Sequence, residues 1–130
     1  MKYVALVYYN EQEMAGLSQQ QWDALNQECI ACGEDLTARG YMITGGALLP
    51  VASATTLRVR DRQIHITDGP FAETKEQLAG FYLLEARDLN EAITQAEKIP
   101  PARYGSIEIR PVRELAASQN IHYSLKGEAR

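Results

Sequence analysis

The opening segment of the chain constrains its fold most strongly, because it is apolar on both faces of an extended strand. In Lys2–Tyr9, valine, leucine and tyrosine occupy both faces of a period-two pattern. A strand of this kind lies in the middle of a sheet and is covered on both sides. The fold must therefore bury both faces of the sheet that contains it.

Two capped amphipathic helices are predicted, and they can cover one of these faces. Ser18 and Gln21 have the spacing of a capping box, and Gly40 is a natural stop for the helix that they begin. The apolar stripe of this helix consists of Trp22, Leu25, Cys29, Cys32 and Leu36. Asp88 and Glu91 cap a second helix, whose predicted buried positions are Leu89, Ala92, Ile93 and Ala96.

Five further strands are predicted from apolar patterning and turn residues, over residues 41–49, 55–60, 63–67, 81–86 and 106–110. Gly45-Gly46 marks a bend or bulge in the first of these strands. In the last, Ile107 and Ile109 face inward because they alternate with polar residues.

The strands at 55–60 and 63–67 form a hairpin that turns on Asp61-Arg62. This register brings the apolar residues together, since it pairs Val59 with Ile64 and Leu57 with Ile66. The other face of the hairpin then carries Arg58, Arg60 and His65.

The element order β-α-β-(hairpin)-β-α-β predicts an α+β fold of the split βαβ, ferredoxin-like kind, with an antiparallel sheet and two helices on one face. The face without helices includes much of Lys2–Tyr9 and of residues 81–86, which are too apolar to face water. We therefore predict either a homodimer that packs sheet against sheet or a ligand lodged over that face.

Composition excludes several classes of partner. The formal charge is −4, and the 13 basic residues are scattered among 17 acidic ones, so no broad nucleic-acid-binding face is expected. No apolar run approaches the ~20 residues that cross a bilayer, and acids and glutamines follow the opening segment where a signal peptide would have its cleavage region. We expect a cytoplasmic protein with no membrane partner, in which a disulfide between the two cysteines does not form.

Cys29 and Cys32 form a CxxC pair, which in other settings is a redox centre or half of a metal site. The sequence contains no second CxxC, and His65 and His122 are not at ligand spacing. Both cysteines lie in the middle of the predicted helix and on its apolar stripe, whereas redox pairs begin helices. This pattern favours packing residues over a redox or metal role, and no metal site is predicted.

The segment DGPFAETKEQLAGF, residues 68–81, is the most unusual in the chain. Asp-Gly-Pro predicts a tight turn, and Phe71 is predicted to anchor the loop on the core. Glu73, Lys75 and Glu76 bring ionisable groups close to Asp68. Two interpretations stay open: a solvated, salt-bridged connection between strands, or a pocket rim whose carboxylate moves protons.

His65 has two interpretations of its own. Its predicted neighbour Arg58 favours the neutral imidazole, which suits a general base. The alternative is a histidine at the surface or in an interface.

The longer stretch DGPFAETKEQLAGFYLLEARDLNEA resembles the signature of the DGPF proteins within the YCII-related family, and KYVALVYYN, TTLRVRD and GSIEIRPV resemble other parts of that family's pattern. The resemblance covers residues 1–112 and leaves 113–130 as a C-terminal tail. It implies a dimeric α/β barrel of two ferredoxin-like subunits in the bacterial cytoplasm. Enzymes among the relatives in the superfamily mostly act on small ring compounds without a metal or organic cofactor, so the resemblance implies no cofactor. Genes for DGPF proteins are often neighbours of genes for sigma factors, so the resemblance also implies an accessory or regulatory role.

Some YCII-related proteins carry a His–Asp pair proposed as the active site, and the resemblance places Asp68 at the acid of that pair. Cys29 occupies the plausible position of the histidine, and His65 lies on a strand. His65 and Asp68 are three residues apart on that strand, so their side chains point to opposite faces unless the turn re-aims Asp68.

Two functions follow as hypotheses. In the first, the chain is a homodimer that binds a small molecule or a regulatory partner. In the second, it is a cofactor-independent lyase or isomerase acting on a small ring compound, with Asp68 as general acid or base, Lys75 stabilising negative charge and His65 as a further candidate. The candidate ligand-binding residues are Tyr8, Phe71, Glu73, Phe81 and Tyr82.

Overall fold

The computed structural model describes residues 1–115 and has the predicted α+β, ferredoxin-like architecture. The strands are β1 (Lys2–Tyr9), β2 (Met42–Ala47), β3 (Thr55–Arg60), β4 (Gln63–Asp68), β5 (Gln77–Glu85) and β6 (Ser106–Pro111). The helices are α1 (Glu11–Met14), α2 (Gln19–Ala38) and α3 (Leu89–Ala96), with 3₁₀ turns at Val51–Ser53 and Pro100–Arg103. His122 and most of the predicted tail lie outside the described residues. Within residues 1–115, no helix is long and apolar enough to cross a membrane.

Four strands form one antiparallel sheet in the order β2-β5-β1-β6, and β3 and β4 form a separate two-stranded hairpin. The apolar strand β1 lies between β5 and β6, as its two apolar faces require. On one face of this sheet, Tyr3, Ala5 and Val7 of β1 are buried together with Leu84 of β5. This is the face that carries the core.

Both predicted helix starts are confirmed by their caps. The Ser18 hydroxyl accepts from the Gln21 backbone N–H at 3.1 Å, and the Gln21 side chain accepts from the Ser18 N–H at 2.8 Å. The Asp88 carboxylate accepts from the Glu91 N–H at 2.9 Å at the start of α3. Helix α2 ends just before Gly40, whose φ of 83° is the left-handed conformation that glycine adopts without strain.

Helix α1 was not predicted, because its single turn is too short to show a helical period. Its start is nonetheless set locally, since the Asn10 side chain accepts from the Glu13 N–H at 3.1 Å. Met14, at its end, is buried.

Two of the four α3 residues that were predicted to be buried are exposed in the structure. Ala92 and Ala96 are buried as expected, but Leu89 and Ile93 are exposed, and Gln95 is buried at 5% exposure. The Gln95 side-chain oxygen accepts from Arg39 Nη2 at 2.9 Å and from Lys98 Nζ at 3.0 Å. Because these donors satisfy the amide oxygen, a polar residue can occupy the buried position.

Two further features of the strands differ from the prediction. Strand β5 begins at Gln77 rather than at residue 81, so the second half of the 68–81 segment belongs to the sheet. In β2, the register shifts between Met42 and Thr44 and not at Gly45-Gly46. Gly45 is required by close packing instead, because a Cβ there would lie 2.6 Å from the Phe81 carbonyl oxygen.

The β3–β4 hairpin has the predicted register: Leu57 pairs with Ile66, and Val59 with Ile64. Asp61 and Arg62 have φ values of 51° and 64°, so both adopt the left-handed conformation of a two-residue type I′ turn. The four aliphatic residues of its apolar face are 53–66% exposed. Among residues 1–115, nothing covers this face.

The second face of the main sheet is also apolar. Residues that alternate with the buried ones point away from the helices, and the register pairs Leu6 with Phe81 and Val4 with Leu83. Tyr8 pairs with Leu78 on the same face. These side chains are mainly apolar and are partly exposed. The second face therefore has the apolar character that was predicted for it.

Candidate functional site

A cavity of about 640 Å³ lies between α2 and the sheet. Helix α2 forms one wall, with Trp22, Cys29 and Gly33 among its lining residues. The opposite wall comes mainly from β2 and β5, including Tyr82. The lining is mostly apolar, so the cavity has the composition of a small-molecule site.

The cavity exists because the apolar stripe of α2 packs only in part. Leu25 and Leu36 are buried, whereas Trp22, Cys29 and Cys32 are only half-buried. The stripe was predicted correctly as a pattern, but a helix that stood against the sheet along its whole length would bury all five residues. Cys32 packs against the core as predicted, and Cys29 lines the cavity instead.

Glycines line both walls of the cavity. A Cβ at Gly33 of α2 would meet only the Met42 sulfur, at 3.7 Å, which is an ordinary contact distance, so Gly33 leaves space on the helix wall. Gly45 and Gly46 of β2 and Gly80 of β5 line the opposite wall. At Gly45 and Gly80 a Cβ would lie 2.6 Å and 2.8 Å from backbone oxygens, so these two glycines allow the close pairing of β2 and β5.

Two phenols and one thiol of the cavity lining, those of Tyr9, Tyr82 and Cys29, are held in their neutral forms. Burial, together with the Cys29 and Cys32 thiols, raises the pKa of Tyr82 to about 12. Burial also raises the pKa of Cys29, with a further contribution from Glu28 that Arg103 opposes. The pKa of Tyr9 is raised by burial, Glu11 and Cys29. At neutral pH these groups are phenols and thiols, which form hydrogen bonds but carry no charge.

The pKa of Cys32 is likewise raised, by burial, Cys29 and Asp35, against Lys98 and Arg39. Its sulfur donates to the Lys98 carbonyl oxygen at 3.3 Å. A reactive cysteine needs a lowered pKa, so these two thiols have the properties of packing and lining residues. Among residues 1–115, no group of three or more His, Cys, Asp or Glu side chains is placed to hold a metal ion.

The predicted ligand-binding residues do not come together. Tyr82 lines the cavity, but Tyr8 and Phe81 lie on the opposite face of the sheet. Phe71 is 77% exposed, so the prediction that it anchors the loop on the core is wrong. The backbone is held instead near the hairpin, where Gly69 donates to the Ala54 carbonyl oxygen and its own oxygen accepts from the Thr56 hydroxyl.

The candidate catalytic residues lie outside the cavity lining. Asp68 ends β4 and pairs with Thr55, and His65 pairs with Arg58 as predicted. Asp68, His65 and Lys75 are all exposed, and within residues 1–115 none of their side chains makes a hydrogen bond or an ion pair. The structure therefore brings no partner to Asp68 within the described chain, and its catalytic role stays a prediction.

The second half of the 68–81 segment ties three parts of the fold together. The Lys75 carbonyl oxygen accepts from the Asn10 side chain at 3.2 Å, and the Gln77 side chain accepts from the Glu11 N–H at 2.9 Å. The Glu76 carboxylate accepts from the Ser106 hydroxyl at 2.7 Å. Hydrogen bonds to α1 and β6 hold this part of the motif, which has a structural role.

Sequence reasoning missed the cavity because its walls come from segments far apart in the chain. A signal was present in two places: Gly33 interrupts an amphipathic helix, and Gly45-Gly46 interrupts an apolar strand. Neither glycine can be assigned to a cavity before the two elements are known to face each other.

The fold and the cavity define a ferredoxin-like α+β protein with an apolar pocket between its long helix and its sheet. The family model of the YCII-related domain matches residues 1–116. The chain is also 34% identical over 114 residues to the uncharacterized protein R00369 of Rhizobium meliloti (strain 1021), an alignment that covers 86% of this chain and 92% of the relative. The chain belongs to the YCII-related family.

Proposed function

We propose that this protein binds a small, mainly apolar molecule in the cavity between α2 and the sheet. The observation that supports this proposal is the cavity itself, whose volume of about 640 Å³ falls within the roughly 300–1,000 Å³ of small-molecule pockets. Protein interiors are ordinarily close-packed, so an apolar space of this size leaves its lining without contacts that a ligand supplies.

The neutral polar groups of the cavity orient the bound molecule. Tyr82 and Tyr9 offer phenol hydroxyls in a mostly apolar wall, and such groups fix a ligand by one or two hydrogen bonds. We propose in addition that this binding serves an accessory or regulatory role in the bacterial cytoplasm, which is the role that the family resemblance implies.

Binding is tested by the fluorescence of Trp22, the only tryptophan in the sequence and a lining residue. The probes are neutral single-ring alcohols of increasing size, from benzyl alcohol to para-tert-butylbenzyl alcohol. A saturable change in Trp22 emission is expected, with affinity increasing with the apolar area of the probe.

The variant Gly33→Leu should abolish this response, because the new side chain occupies the cavity from the helix wall. Ala31→Leu is the matched control, since Ala31 is exposed on the same helix and does not line the cavity. A wild-type protein that binds none of the probes, or a Gly33→Leu variant that binds them as tightly as Ala31→Leu, would contradict the proposal.

The enzymatic alternative is tested in the same assay. Because Asp68 does not line the cavity, Asp68→Ala should leave probe affinity unchanged. A ligand whose binding is lost in that variant would place Asp68 in the binding site and support its role as a general acid or base.

We also propose that the second face of the sheet packs against a second copy of the chain. The partly exposed residues Val4, Leu6 and Leu83 on that face support a homodimer, since water is a poor partner for a contiguous apolar surface.

Light scattering should give the mass of a dimer for the wild type and of a monomer for Leu6→Glu. Leu89→Glu, at an exposed leucine of α3, is the control that should remain dimeric. A monomeric wild type overturns this proposal without affecting the binding assay.

A further inference from the structure

The lining of the cavity contains one charged side chain, and it is an acid. Glu34 of α2 is a lining residue, and no lining residue is a lysine, arginine or histidine. A ligand that enters the cavity therefore meets a carboxylate and neutral polar groups, but no cation from the wall.

Two arginines close in sequence to lining residues are already paired with acids. Arg103, two residues beyond the lining residue Pro101, contacts the Glu28 carboxylate at 2.6 Å. Arg39, which follows the lining residue Ala38, contacts the Asp35 carboxylate at 3.0 Å. These ion pairs use Glu28 and Asp35, two other acids of α2, whereas within residues 1–115 the Glu34 side chain has no ion pair or hydrogen bond.

This arrangement has a direct consequence for ligands that differ only in charge. An organic acid of the same shape either leaves its carboxylate at the open side, where it is repelled by Glu34, or carries it into the cavity, where it loses its hydration and gains no compensating cation. An alcohol of the same shape carries no charge, so it does not lose the hydration of an ion when it binds. An amine of the same shape can leave its ammonium group at the open side, where Glu34 is exposed, while its apolar part fills the cavity.

We propose that the cavity selects apolar amines over apolar acids of the same shape, and that Glu34 is the residue that sets this selectivity. The inference rests on the proposed binding function, and it adds the charge class of the ligand to it.

Three matched probes test it: para-tert-butylbenzylamine, para-tert-butylbenzyl alcohol and para-tert-butylbenzoate, titrated against Trp22 emission at neutral pH and low salt. For the wild type, the amine should bind about two- to fivefold more tightly than the alcohol, as expected for one exposed ion pair. The benzoate should bind at least about two- to fivefold more weakly than the alcohol, because its carboxylate either approaches Glu34 at the open side or is desolvated without a partner.

Glu34→Gln should bring the amine to the affinity of the alcohol and leave the alcohol unchanged. Glu34→Lys should reverse the order, so that the benzoate binds more tightly than the amine. Glu97→Gln removes an exposed acid outside the lining and should reproduce the wild-type order. Added salt should reduce the amine-to-alcohol ratio in the wild type and leave it unchanged in Glu34→Gln.

Equal affinities for the three probes, a preference for the benzoate, or an unchanged amine-to-alcohol ratio in Glu34→Gln would overturn the inference while leaving the binding function intact. If none of the three probes binds the wild type, the binding function fails and the selectivity fails with it.

Discussion

Gly33 offers the sharpest test of the space beneath α2, because a single methyl group placed there distinguishes an open cavity from a packed contact. Gly33 lies well inside α2, where glycine is unfavourable relative to alanine by about 1 kcal/mol because it loses more backbone freedom on folding. The added Cβ would meet only the Met42 sulfur, at an ordinary distance of 3.7 Å. Gly33→Ala should therefore stabilise the protein by about 1 kcal/mol.

For a domain of this size, about 1 kcal/mol corresponds to an increase in Tm of about 3–6 °C. Thermal unfolding by circular dichroism and urea unfolding measure the same change independently. The urea midpoint should increase with an unchanged slope, since the substitution adds no new exposed surface on unfolding.

Gly40→Ala is the matched control, because it makes the same chemical change with the opposite expected sign. A Cβ at Gly40 would meet nothing within 4 Å, but its φ of 83° is unfavourable for alanine. This variant should lose about 1 kcal/mol from backbone strain alone. If Gly33→Ala is destabilised as much as Gly40→Ala, then α2 packs tightly at that position and the cavity does not extend there.

The remaining predictions concern the wall and the core behind it. Leu36 is fully buried, so Leu36→Ala should cost about 2–5 kcal/mol in urea unfolding, whereas Leu89→Ala, at an exposed position, should cost less than about 1 kcal/mol. Spectrophotometric titration should show Tyr82 ionising near pH 12, above the ordinary 10.0, and the transition should be missing in Tyr82→Phe. Because the folded pKa is the higher one, the stability that Tyr82 contributes is intact below pH 10.0 and is lost as the pH rises to about 12. At pH 8, Cys29 and Cys32 should react with a disulfide reagent more slowly than a free thiol, because burial raises both pKa values, and a cavity ligand should protect Cys29 more than Cys32. Thiols that react at the rate of a free cysteine would contradict this.

The 68–81 segment combines two roles that residue types alone do not separate. Its first half forms a turn with Gly69 at a φ of 96° and leaves Phe71 exposed, and its second half bonds α1 and β6. Within residues 1–115, none of its acids forms an ion pair, so hydrogen bonds and not salt bridges hold it. Its composition was a good guide to the family and a poor guide to the position of the cavity.

Part of the candidate site could be predicted from the sequence. The stripe that contains Cys29 was placed on the correct face of α2, and Tyr82 was among the candidate ligand-binding residues. Tyr8 and Phe81 were grouped with Tyr82 because all three are aromatic and lie on neighbouring strands. A period of two puts Tyr82 on the helix side and Phe81 on the other, but which side holds a cavity depends on how closely α2 approaches.

Local interactions explain what the sequence by itself determined. The cap at Ser18, the cap at Asp88 and the hairpin turn at Asp61-Arg62 join residues only a few positions apart, so the same contacts form in any fold that contains the segment. The apolar faces of β1 likewise required a central strand, whatever covers them.

Only the tertiary structure decided the features that depend on distant partners. Gln95 is buried because Arg39, 56 residues away, donates to it, and the cavity is open because Gly33 faces Met42 across the gap between helix and sheet. The free energy of a buried polar group or an empty volume depends on which groups arrive around it. That arrangement follows from the packing of whole elements, and no local pattern in the chain encodes it.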